Sequence, residues 1–269
     1  MKKSILFSAV VLMALVVLSA RPSGATSVDL ELLYLEPTNM DTSYATYDYF
    51  PAGTNPTVNL KLETVDHPYA PAYRLGVEHQ GWHLSYLSFS DSEKDSITSN
   101  SSSDDIFIST SHPDRSWESC DLCTISADSE INFRTLSFYR DVPLSQSGSF
   151  TANYRVGLRY ISLERNLDVL MDITSPTSND YKDTYNMDTS AFGFTGGVNG
   201  NWALSNALNL GFDIGLSLLY GSTDGKYKFT TIRPSGTCIN DRDCYVIKWG
   251  KDTITPMLDM ALRLSYSVM

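Results

Sequence analysis

The fifteen residues ALNLGFDIGLSLLYG, 207–221, alternate with period two. Leu208, Leu210, Phe212, Ile214, Leu216, Leu218 and Tyr220 fall on one face of an extended chain. Asn209, Gly211, Asp213, Gly215, Ser217, Leu219 and Gly221 fall on the other. Successive side chains of a strand point to opposite sides, so this run presents a continuous oily ribbon backed by small and polar groups. Such a strand needs a dry environment along one face and a polar one behind it.

The pattern recurs. Eight segments read as strands: Val28–Glu36, Ala72–His79, Trp82–Ser90, Ile131–Arg140, Phe150–Leu163, Thr189–Trp202, the opening run, and Thr253–Val268. Gln80-Gly81, Asp141–Ser149 and Ala203–Asn206 are short connections. Pro37–Pro71, Asp91–Glu130, Asn166–Asp188 and Ser222–Asp252 are long and polar. Val58, Leu60, Leu62 and Thr64 alternate as well, and are expected to form a hairpin arm rather than a ninth strand of the main sheet.

Lys2 and Lys3 precede the apolar run Ile5–Leu18, and small residues follow at Ser23-Gly24-Ala25. The run is too short to span a bilayer as a helix, so residues 1–25 are expected to be a cleaved signal peptide. Residues 26–269 are then one domain. Nothing after residue 25 is apolar for long enough to cross as a helix. An exported chain of alternating strands enters a membrane only as a closed barrel, since an open sheet edge is not satisfied in lipid. Short turns on one side and long loops on the other are how outer-membrane barrels are built. The expected fold class is therefore all-β, a transmembrane antiparallel up-and-down β-barrel of about eight strands with long extracellular loops. The chain is acidic, 31 Asp+Glu against 20 Lys+Arg, which argues against nucleic acid as a partner.

Leu32-Leu33-Tyr34-Leu35-Glu36-Pro37-Thr38-Asn39 with Tyr44-Ala45 resembles the first strand and loop of the Legionella-type pore-forming outer-membrane proteins. Gly157-Leu158-Arg159-Tyr160 with Leu163-Glu164-Arg165-Asn166-Leu167 is similar to that family's mid-barrel strand. Phe192 to Val198, Leu218-Leu219-Tyr220-Gly221 and Thr255-Pro256-Met257-Leu258-Asp259 are similar to its last three strands. The strand around Arg134 and Thr135, and the ending Tyr266-Ser267-Val268-Met269, depart from the family pattern. The resemblance implies an outer-membrane barrel with porin-like passage of ions or small polar solutes. It implies outer-membrane lipid, lipopolysaccharide and the barrel-assembly machinery as partners.

The inward-facing list collects Arg74, Glu78, Arg134, Arg155, Arg159, Asp213, Asp259 and Arg263, with Asn153 and Asn209. Eight strands leave an interior that side chains nearly fill. Two readings stay open: an internal ion-pair network that plugs the barrel, or a narrow polar path that selects solutes. The alternative function is accordingly a closed structural or surface-interaction barrel whose long loops bind partners. Cys120, Cys123, Cys238 and Cys244 all fall in expected loops; disulfides are expected in an oxidising compartment, near pairs first among three connectivities. His79 and His83 flank the first short turn, where adjacent strands could bring them together for weak metal binding; ordinary interfacial histidines are expected instead. The acids of the second long loop, Asp91 and Asp128 among them, read as a solvated face. Trp82, Tyr86, Tyr154, Tyr160, Trp202, Tyr220 and Tyr266 suit an aromatic girdle. No catalytic triad spacing stands out, so neither an enzyme, a cofactor nor a metal is expected.

Overall fold

A computed structural model describes residues 26–37, 42–49, 59–99, 104–108, 119–120, 122–173, 180–205, 207–233, 236–237 and 244–266. The expected signal peptide and Cys238 lie outside them. The described residues hold strands and no helix: β1 Thr26–Leu35, β2 Thr42–Tyr49, β3 Asn59–Val65, β4 Ala70–His79, β5 Trp82–Ser99, β6 Asp104–Ile108, β7 Ser119–Cys120, β8 Cys123–Ser147, β9 Phe150–Ile173, β10 Asp180–Ala203, β11 Leu208–Arg233, β12 Gly236–Thr237 and β13 Cys244–Tyr266. The larger sheet runs β1-β4-β5-β8-β9-β10-β11, with β13 and the two-residue β12 both on β11. Every pairing is antiparallel between neighbours in this up-and-down order. Each of the eight expected strands falls on one long strand of this sheet.

The short connections are set by local chemistry. Gln80 and Gly81 both have positive φ, 52° and 78°, the conformation that a two-residue turn between right-twisted strands requires. They join the register partners His79 and Trp82. Gly148, φ 53°, opens the next turn between Ser147 and Phe150. The stretch Asp141–Ser147, expected as loop, continues β8 with a bulge between Pro143 and Ser145. A bulge accommodates the proline, which cannot donate to a ladder.

Much of what reads as long polar loop is strand. β8, β9, β10, β11 and β13 run 23–26 residues, about 80 Å at ~3.3 Å per residue. A membrane crossing needs only about 9–11 residues. Val58 lies outside the described residues, but its neighbours form β3, which pairs with β2 in a separate four-stranded sheet, β3-β2-β6-β7. The expected arm is therefore a hairpin apart from the main sheet.

The main sheet curls on itself. Arg155 on β9 reaches Asp213 on β11, Arg159 on β9 reaches Asp259 on β13, and Arg263 on β13 lies 3.6 Å from Glu31 on β1. Its first and last long strands thus face each other across one ion pair. Among the described residues no hydrogen-bonded ladder joins β1 to β13. The expected closed barrel is met as a curled sheet with a seam.

Candidate functional site

Cross-strand register turns the alternation into bands. On the outer face one row reads Tyr86, Leu136, Tyr160, Phe192, Tyr220 and Ile254 across β5 to β13. Below it come Leu84, Phe138, Leu158, Phe194, Leu218 and Pro256, and the lowest shared row includes Phe150, Trp202, Leu210 and Leu264. These side chains face outward: Phe194 is 74% exposed and Leu216 62%. From Phe192 to Trp202 is ten residues, about 33 Å of strand, or roughly 25 Å along the normal at a tilt of ~40°, the height of an outer-membrane apolar band. The row directly above the aromatics is Ser88, Arg134, Ser162, Ser190, Ser222 and Asp252. The change from oily to polar falls at the same row on all six strands. Six of the seven expected girdle residues, all but Tyr266, are described in full here, and Tyr86, Tyr160 and Tyr220 share its upper row.

Behind the band the inner face is polar. Arg155 is its lower hub. Its Nε donates to Asp141 at 3.2 Å and its Nη1 lies 2.9 Å from Asp213 Oδ2. Asn199 donates to Asp141 at 2.7 Å, Asn153 donates to Asn199 at 3.0 Å, and His83 Nε2 stands 3.3 Å from Asp141. The Arg155 guanidinium lies 3.9 Å from the centre of the Tyr139 ring, and the His83 ring stacks on the same tyrosine at 4.8 Å. One cation satisfied by two carboxylates and a ring face is the arrangement that makes a desolvated charge tolerable. A second group lies above: Arg159 pairs with Asp259 and donates to Ser137 at 3.0 Å, and Ser217 donates to Thr195 at 3.0 Å. Gly215 lies beside the Arg159–Asp259 pair: a Cβ there would meet Asp259 Oδ2 at 3.5 Å, an ordinary contact.

A third group lines the seam. Glu31 accepts from Arg74 at 2.8 Å and is approached by Arg263. Here the charged side chains are water-accessible, 30% for Glu31, 32% for Arg74, 42% for Asp259 and 58% for Arg263, against 15% for Arg155. Glu78 shares the inner face with Arg74, opposite His83. His79 instead contacts Thr26, so the two histidines are not brought together. Arg134 is a correction. It shares its face of β8 with Leu136 and Phe138, and the inward residues are Ile131, Phe133, Thr135, Ser137 and Tyr139. Charge pointed inward and phase points outward, because Arg134 stands in the first polar row above the band.

At that level the two faces exchange character. Inward residues become apolar: Ile131 is buried with Ala70, Ala72 and Phe89, packed by Leu33, Leu35, Leu87, Phe133 and Leu163. Ile161, Ala191 and Leu219 form an adjoining cluster against Phe133 and Met257. Higher still, Cys123, Ile125, Ala127, Leu167, Val169 and Met171 bury against Tyr44, Ala45 and Val65 of the β2–β3 hairpin. Tyr44 donates to Asp95 at 3.1 Å; burial first, then the Asp95 carboxylate, pushes its phenol well above the usual range.

Between these upper layers lies a constellation that sequence reasoning missed. His67 Nδ1 is 2.8 Å from Asp91 Oδ2, and its Nε2 is 2.9 Å from Ser129 Oγ. The order Asp–His–Ser is that of an activated nucleophile. Yet Ser129 and His67 are buried, 3% and 4% exposed, between two apolar layers. In this conformation the group ties the segment after β3 to β5 and β8. Its members come from three elements far apart in sequence, and Asp91 was expected in a solvated face, so no spacing signalled it. Cys120 lies in β7, and Cys123 and Cys244 begin β8 and β13 rather than sitting in loops. The described cysteines include no free thiol.

The family model described as Legionella pneumophila major outer membrane protein precursor matches residues 21–269. The chain belongs to this family. Its members are outer-membrane proteins by that description, which agrees with the oily band and its aromatic upper row. Comparisons with curated proteins and with solved structures gave no match.

Proposed function

We propose that this family member is an outer-membrane β-barrel with porin-like, passive passage of ions or small polar solutes. The observation that carries the reading is the wet, two-signed strip of Arg74, Glu31, Arg263 and Asp259 along β4, β1 and β13. The packed ion pairs of β8–β11 then serve as the rigid wall opposite it. The barrel closes by pairing β1 with β13 in the register that sets Glu31 opposite Arg263. That register also sets Leu30 opposite Leu264 and Leu32 opposite Leu262, so both faces keep their character. Joining Leu30→Cys to Leu264→Cys by oxidation in a folded sample tests it; a pair that stays uncrosslinked refutes the register.

The signal peptide is cleaved after Ala25, the near cysteine pairs close small loops at the outer end, and no enzymatic activity is assigned. Outer-membrane lipid, lipopolysaccharide and the assembly machinery are its partners. Single-channel recording in planar bilayers tests the passage, and an unboiled, heat-modifiable sample without reproducible conductance steps refutes it. The second reading is a closed structural or surface-interaction barrel, favoured by the apolar inner layers around Ile131 and Leu219.

A further inference from the structure

Arg134 takes no part in the inner networks. It faces outward from β8, in the phase of Leu136 and Phe138, with Ser88 of β5 and Ser162 of β9 as its register partners on either side. Neighbouring strands stand about 4.8 Å apart, so the three side chains share one patch about 10 Å wide. Directly below lie Tyr86, Leu136 and Tyr160, and the ring of Tyr73 on β4 stands 6.2 Å from that of Tyr86. The three polar residues are partly buried. Among the described residues, no ion pair or side-chain hydrogen bond engages Arg134, Ser88 or Ser162.

Among the described residues of β5, β8–β11 and β13, Arg134 is the one cation in the first two polar rows of the outer face. Its own row otherwise holds serines and Asp252. The next row up turns acidic on β9, β10 and β11 at Glu164, Asp188 and Asp224, and holds Ser90 and Asn132 on β5 and β8. The outward lysines begin higher: Lys226 opposes Lys248 in the third row, and Lys94 pairs with Asp128 in the fourth. An anion at the level of the first row is therefore repelled from the β9–β11 side and drawn to the β5–β8 side. That row lies two residues above the aromatic one, about 5 Å along the membrane normal at a tilt of ~40°.

We propose that Arg134, flanked by Ser88 and Ser162, binds a phosphate group of lipid A in the outer leaflet. This rests on the outer-membrane reading above, with lipopolysaccharide as a partner, and assigns that partner a site on the wall. Lipid A carries its phosphates on the sugars that cap its acyl chains, so they lie at the first polar level above the oily band. A guanidinium presents paired N–H donors that match phosphate oxygens two at a time. At the edge of the hydrocarbon its charge acts through a lower dielectric than in open water. The two serine hydroxyls donate to the remaining oxygens, while the acyl chains run down over Leu136 and Phe138.

The test titrates Arg134→Gln and the unaltered chain, both heat-modifiable in a neutral detergent, with bis-phosphorylated lipid A and with the same lipid A stripped of its phosphates. Bound lipid is counted by native mass spectrometry. Arg134→Gln should bind the phosphorylated lipid at least about tenfold more weakly than the unaltered chain, with Arg134→Lys between the two. The chains should not differ toward the stripped lipid. Lys248→Gln, which removes an outward cation two rows higher, should match the unaltered chain toward both. Arg134 stands on the outer wall with no partner to strand, so its substitution leaves the fold intact. Equal affinity of Arg134→Gln and the unaltered chain for phosphorylated lipid A, or an equal loss toward both lipids, overturns the site and leaves lipopolysaccharide a partner elsewhere on the wall. Displacement of the lipid by an equal concentration of inorganic phosphate overturns it in favour of a free-anion site. Failure of the unaltered chain to bind phosphorylated lipid A overturns the lipopolysaccharide reading itself, and the site with it.

Discussion

The lower and upper stretches of β9 obey the same alternation with opposite meaning. From Tyr154 to Tyr160 the even residues are oily and face out, while Arg155 and Arg159 face in. From Ser162 onward the even residues are polar apart from Leu170, and the odd ones Leu167, Val169 and Met171 are buried. The phase does not slip anywhere in the ladder with β10. What changes is the solvent. Below the switch the outer medium is as apolar as a leucine, so burial gains nothing there and the inner face holds the charges. Above it the outer medium is water, and the hydrophobic effect returns the oily residues to the inside. One strand thus reads as a membrane protein along half its length and as a soluble one along the rest.

The largest break in this comparison is expected at the hub of the lower stretch. Arg155→Ala leaves Asp141 and Asp213 facing each other without their cation, and should destabilise the fold by about 3–5 kcal/mol, read by denaturant unfolding in vesicles. Asp213→Asn should do less, since Asp141 stays paired. Next comes the oily band. Leu216→Arg should lower stability by roughly 2–4 kcal/mol near the midplane, whereas Ser190→Arg, a row above the aromatics, should change it by less than about 0.5 kcal/mol. Equal losses at both positions would place the band elsewhere.

The mirror experiment is in the upper stretch. Ile125→Ala should lose about 2–5 kcal/mol by opening a cavity, although Ile125 lies above the band. His67→Ala should lose about 1–3 kcal/mol by stranding Asp91 and Ser129. Native-state hydrogen exchange should show that loss first at the β2–β3 hairpin, and uniform loosening would deny that His67 is its tie. The smallest effect concerns Tyr44. Its folded pKa is raised above the ordinary 10.0, so the stability it contributes is whole below pH ~10 and fades as pH rises above that. A Tyr44→Phe chain should therefore show a shallower alkaline loss of stability, followed by tryptophan fluorescence.

Strand identity was legible where alternation was strong, as at 207–221, and its limits were not. The upper extensions of β8 to β13 carry Asp, Glu, Lys and Ser on their outer face and read as loops, because a polar outer face in water has the composition of a solvated segment. The lower site was legible from phase: Arg155, Arg159, Asp213 and Asp259 are inward and are brought together as ion pairs. Arg134 stands in the row with Ser88 and Ser162, where charge and phase part company. The His67–Asp91–Ser129 group left no trace in the sequence, since its three residues meet only after the hairpin folds back onto β5 and β8.

The sequence by itself determined the alternation, the short turns and the two-sidedness of Leu208–Tyr220, because the side-chain period of an extended backbone is fixed by covalent geometry. It determined that Asp213 points away from the oily ribbon. Only the tertiary structure decided that Asp213 meets Arg155 from two strands away, that the seam pairs Arg263 with Glu31, and that the inner face turns apolar above Tyr160. Those depend on register and curl, which are set by the whole sheet at once. Period two names the two faces of a strand; which of them is dry is a property of what the sheet encloses and what surrounds it.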